Sequence, residues 1–143
     1  MNMRLRFTLA IAFACCGAAE AHHSIAGMYD QSRRVTLDGT IAQFQFVNPH
    51  PFVMVDVKTS NGAPQSWKAE LDNRWELQEI GIAPTTFRAG DRVVITGSPG
   101  RDRTPLLYVW RLERPADGLL YEQIGTSPRV SRLGSSAAGQ PPR

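Results

Sequence analysis

Between Val35 and Glu113 the chain holds five segments whose apolar and β-branched positions read as strands, and one short stretch that reads as a helix. From Val35 to Val47 the residues are mainly β-branched, aromatic or small, and the phase of the alternation changes midway. Val35, Leu37 and Ile41 share one parity, Ala42, Phe44 and Phe46 the other, and Gly39 sits near the switch. That pattern predicts a single long strand whose buried face changes over, with glycine easing the bend. Asn48-Pro49-His50-Pro51 interrupts it, because two prolines so close together cannot sit in a central strand. A second strand is expected over Phe52–Lys58, and Ser60-Asn61-Gly62 is a hairpin turn signal. The third runs from Ser66 to Leu71, with Trp67, Ala69 and Leu71 on one side.

Asp72 or Asn73 is placed to cap a short helix from Arg74 to about Ile80. The helix is expected to bury Trp75 and Ile80 and to stop at Gly81. Ala89-Gly90-Asp91 reads as a turn into a fourth strand, Arg92–Gly97, and Leu106–Glu113 as a fifth. The predicted fold is mainly β: a small five-stranded OB-like Greek-key barrel with one short helix between strands three and four. After Ile124 the residues are mostly Gly, Ser, Pro, Ala and Arg without apolar periodicity, so 125–143 is expected to be a disordered tail. The barrel domain is then 35–124, preceded by an N-terminal arm over 22–34.

The first 21 residues have a different character. Arg4 and Arg6 precede an apolar run from Phe7 to Cys16, and Ala19-Glu20-Ala21 is a small-x-small cleavage pattern. A run of about 10 residues is too short to span a bilayer, where ~20 are needed, and it matches a cleaved secretory signal. Residues 1–21 are therefore expected to be a signal peptide, and the mature protein to be periplasmic or secreted, with no stable membrane span. A lipoprotein signal ending at Cys15 or Cys16 is the rival. Ala12 and Phe13 stand where such signals usually carry an aliphatic residue.

Removing residues 1–21 from 143 leaves 122, enough for one domain, with no cysteine and a net charge of +2 rather than +3. Only two lysines occur, Lys58 and Lys68, and there is no basic stripe, so a nucleic-acid partner is not expected. No Ser/His/Asp set, Cys/His set or glycine-rich phosphate loop stands out, so the sequence points away from a hydrolytic enzyme.

The chain has three histidines, His22, His23 and His50. Cleavage after Ala21 would start the mature chain at His22, joining a free amine to two imidazoles. His50 lies in the loop between strands one and two, a usual binding loop of this barrel type. Neutral imidazoles suit copper and zinc, and copper(II) binds nitrogen sites most tightly in the divalent series. His22, His23 and His50 are thus the candidate metal ligands, for copper or zinc. A mobile arm and a rigid turn residue remain the simpler accounts of the same residues. Glu70 and Asp72 are candidates to supply an oxygen or to orient an imidazole. Arg101, Asp102 and Arg103 read as a solvated turn that could instead hold an anion.

The alternative function is a metal-free envelope module binding a peptide, an oligosaccharide or a protein partner on the barrel face. Exposed rings at Phe52 or Trp110 would favour it.

Several segments together resemble a family of small exported bacterial proteins of unknown function. They are His22-His23-Ser24 with Tyr29-Asp30, Thr36-Leu37-Asp38-Gly39-Thr40, Asn48-Pro49-His50, Trp67, and Gly90–Gly97 followed by Pro99. The resemblance spans roughly 22–112 and implies an OB-type barrel with no activity to carry over. The pairing of His-His-Ser with Asn-Pro-His implies a shared site.

Overall fold

The computed structural model describes residues 25–133. The expected signal over 1–21, with Cys15 and Cys16, lies outside the described residues, as do His22, His23 and the end of the tail, 134–143. The order is α1 (Ile25–Met28), β1 (Val35–Gln45), β2 (Phe52–Lys58), β3 (Pro64–Glu70), α2 (Arg74–Glu79), β4 (Arg92–Pro99), β5 (Leu106–Arg114), β6 (Leu119–Ile124) and β7 (Ser127–Arg132).

The first five strands close on themselves. β1 pairs antiparallel with β2 and β4, β2 with β3, and β4 with β5, while a parallel β3–β5 pairing completes the ring. This is the expected small β-barrel, with α2 between β3 and β4. β1 belongs to both halves of the ring, and its phase change is a bulge: the register with β2 slips between Ile41 and Gln43. Ala42 is the extra residue and is exposed, rather than sharing the buried face with Phe44 and Phe46. Gly39 is required for closeness as well as bending. A Cβ there would lie 2.6 Å from the Asp56 carbonyl oxygen.

Leu37, Ile41, Val53, Val55, Ala69, Val93, Ile95, Leu107, Val109 and Leu112 from the barrel strands form one core with Leu71, Leu77, Ile82 and Phe87 from α2 and the segments beside it. Asn73 caps α2, accepting the Glu76 N–H at 2.9 Å. The helix buries Leu77 and not Trp75, which is 68% exposed. The reason is helical phase. Leu77 and Ile80 are three apart and share a face, whereas Trp75 is two before Leu77 and faces away.

The sequence expectation also stops too early. Asp117-Gly118 turns the chain into β6, whose Leu119, Leu120 and Tyr121 are buried. Gly125, with φ 62°, opens a two-residue turn into β7, which pairs along its whole length with β6. The expected disordered tail is therefore a strand as far as Arg132. Only Pro128 and Val130 of β7 face inward, too few to register as a periodic apolar pattern.

Arg114 ties this hairpin to the barrel. It donates to Asp91 at 2.8 Å, to Asp117 at 2.9 Å and to the Thr86 carbonyl, with a side chain only 14% exposed. Arg114 and then Arg132 hold the Asp117 carboxyl well below the usual carboxylate range. A carboxylate of depressed pKa stabilises the fold above its unfolded value and loses that contribution as pH falls through the folded one. Urea unfolding should therefore show Asp117→Asn less stable than wild type at pH 7. The gap should narrow as the pH falls below about 4. A gap independent of pH would show that the charge of Asp117 is not what stabilises.

Candidate functional site

The loop between β1 and β2 carries His50, and main-chain bonds fasten it to the strand three to helix connection. Leu71 N–H donates to the Pro51 carbonyl at 2.9 Å, and Arg74 N–H to the Pro49 carbonyl at 3.2 Å. The Asn48–Pro49 peptide bond is cis. Because β2 and β3 place Phe52 opposite Glu70, the loop brings the His50 ring over the end of β3. His50 Nδ1 lies 2.5 Å from Glu70 Oε1.

The other oxygen of Glu70 is also taken. Tyr29, 1% exposed, donates its hydroxyl to Glu70 Oε2 at 2.6 Å. Burial, and after it the neighbouring Glu70, pushes the Tyr29 phenol far up, so it remains a neutral donor. Tyr29 is held in turn by the β4–β5 loop. It bridges to Gly100, the Asp30 N–H donates to the Pro99 carbonyl at 2.8 Å, and the Arg101 N–H donates to the Met28 carbonyl at 3.0 Å. The Arg101 guanidinium also caps the Ala26 carbonyl at 2.9 Å. The Tyr29 ring packs against Tyr108 at 5.7 Å between centroids.

These contacts arrange one cleft of about 410 Å³. Ile25, Met28, His50, Phe52, Lys68 and Glu70 are among its walls. His50 is 31% exposed there, and Lys68 lies over the Phe52 ring at 4.4 Å. With Nδ1 occupied by Glu70, Nε2 is the nitrogen available for coordination, and the carboxylate sets the ring's tautomer and direction.

Of the three histidines expected to act together, the described residues contain His50 alone. His22 and His23 lie outside them. The described part of the arm nevertheless enters at the same cleft, because Ile25 lines it with His50. Glu70 takes the imidazole-orienting role considered for it. Asp72 does not: it accepts from the Asn73 N–H at 2.7 Å and from Gln123 at 2.8 Å, fixing the start of α2 to β6. Among the described residues, no group of three or more His, Cys, Asp and Glu is placed to hold a metal ion.

Arg101 and Asp102 make structural contacts, the latter accepting from the Thr104 N–H and hydroxyl at 3.1 and 2.6 Å. Trp110 is half-buried, giving its N–H to Ser98 at 2.9 Å while Arg34 covers its face at 4.6 Å.

Two contributors had no local signal. Tyr29 is 41 residues from Glu70, and only the closed barrel brings them together. Met28 in the cleft wall looks, in sequence, like any apolar residue of an arm. The His50–Glu70 pair could have been found by counting back from the Asn61 turn. Residues summing to 122 face each other in that hairpin, so Phe52 meets Glu70.

A family model described as a family of unknown function, DUF6152, matches residues 10–106. No curated protein and no solved structure matches the chain.

Proposed function

We propose that this chain, which belongs to the DUF6152 family of unknown function, is an exported small binding protein holding copper through the mature N-terminus and His50. The observation that carries this reading is the His50–Glu70 pair at 2.5 Å in a cleft shared with Ile25. A carboxylate that orients an imidazole through its far nitrogen is the usual support of a metal-bound histidine. Chain geometry supplies the second support. His23 is two residues from Ile25, which limits their Cα atoms to a separation of about 7 Å. An amine and two imidazoles at the start of the mature chain would thus be tethered beside a third. Export rests on Arg4, Arg6, the apolar run and Ala19-Glu20-Ala21.

Titrating copper(II) into protein that begins at His22, and into its His50→Ala variant, tests this. The variant should bind at least about tenfold more weakly, a loss of ~1.4 kcal/mol or more. Equal affinity in the two proteins, or none in either, would overturn the reading. Zinc in a parallel titration should bind more weakly than copper.

The metal-free alternative draws its motive from free aromatic rings at Phe52 and Trp110. Both are half-buried and engaged, Phe52 by Lys68 and Trp110 by Arg34 and Ser98. That leaves copper as the reading with the more specific support.

A further inference from the structure

We propose that Met28 is a ligand of the same cleft and that its thioether makes the site hold copper(I) in preference to copper(II). This deepens the function proposed above and rests on it. Met28 is the last residue of α1, it lines the cleft with His50, and it is 38% exposed. Its position is not arbitrary. The Ala26 carbonyl accepts from the Arg101 guanidinium, the Met28 carbonyl accepts the Arg101 N–H and the next residue is the buried Tyr29, so the backbone from which the side chain springs is fixed on both sides. The other methionine among the described residues, Met54, stands in the middle of β2 opposite Lys68.

Three features of the cleft favour the lower charge. The first is the donor pair. Among the described residues the cleft offers one imidazole nitrogen and one thioether sulfur, and it is the thioether that adds a soft donor selecting copper(I). With no cysteine in the chain beyond Cys16, methionine is the soft donor this protein has. The second is charge compensation. Both oxygens of Glu70 are already committed, to His50 and to Tyr29, so the carboxylate faces the metal only through the ring. The Lys68 ammonium in the same wall offsets the charge of that carboxylate, so the cleft carries no net negative charge with which to balance a divalent ion. The third is the setting. Ile25, Val47 and Phe52 make part of the wall apolar, and the cost of removing an ion from water rises steeply with its charge.

The test compares mature wild type, Met28→Leu and His50→Ala in two titrations. In one, anaerobic copper(I) is contested by the chromophoric chelator bicinchoninate; in the other, copper(II) is added directly. Met28→Leu conserves volume at a half-exposed position, and thermal melting checks that the fold is kept. It should lose about tenfold or more in copper(I) affinity, equivalent to ~1.4 kcal/mol, and change copper(II) affinity by much less. The X-ray absorption of the copper(I) form should show a sulfur neighbour that Met28→Leu lacks. Unchanged copper(I) affinity in Met28→Leu, with copper(II) still lost on His50→Ala, overturns this inference and leaves the parent reading standing. Failure of wild type to bind either ion, or binding indifferent to His50, overturns both.

Discussion

Gly97→Ala should lower the melting temperature by about 10 °C, from on the order of 2–3 kcal/mol of lost stability. Gly97 is buried in β4, where that strand pairs with β1 on one side and β5 on the other. The β4–β5 register slips between Thr96 and Gly97, and the two backbones come unusually close. A Cβ on Gly97 would lie 2.2 Å from the Tyr108 carbonyl oxygen and 2.7 Å from Leu107 Cγ. The first of these is backbone in a paired strand and has no rotamer by which to retreat. Relief requires β5 to move, and β5 closes the barrel by pairing with β3 through Leu106, Leu107 and Tyr108. Thermal unfolding followed by circular dichroism measures it. A shift under about 2 °C would mean that the strands separate freely at the bulge.

Glu70→Ala should fail in two separable ways. Its removal leaves the buried Tyr29 hydroxyl without its acceptor, at a cost of about 1–3 kcal/mol. It also frees the His50 ring, and loss of such an orienting carboxylate typically weakens metal binding by about 10–100-fold. Tyr29→Phe separates the effects, because it deletes the hydroxyl and leaves Glu70 on His50. That variant should lose stability while keeping copper(II) affinity close to wild type. Copper affinity that survives Glu70→Ala would show that the carboxylate serves Tyr29 and the fold alone.

The barrel was legible because each of its strands carries a local pattern. Phe52–Lys58 is bounded by prolines on one side and the Ser60-Asn61-Gly62 turn on the other, and β2 has those same limits. The change of parity in β1 marks the switch of its buried face, and pairing with β2 shows that a bulge at Ala42 makes that switch. Trp75 was misplaced because a helix of six residues offers too few apolar positions to define a face; Leu77 decides it through a tertiary contact. β7 was missed for a related reason: SPRVSR is polar and arginine-rich, and it is a strand only because β6 precedes it after a two-residue turn. The site was legible in part. His50 drew attention as the histidine of an interrupted loop, while Tyr29 and Glu70 meet only through closure of the ring.

The β6–β7 hairpin leaves the sheet order β3-β2-β1-β4-β5-β6-β7 with one end outside the closed ring. A barrel has no edge, but this appendage restores one: among the described residues no strand pairs with the outer side of β7. Such a row of unpaired amides and carbonyls is a template for another chain. Pro128 lacks an N–H to offer, and the exposed Arg129 places a charge on the strand that a second copy would have to approach. The same arginine-rich composition that hid β7 from sequence patterning thus guards the protein against fibrous self-association.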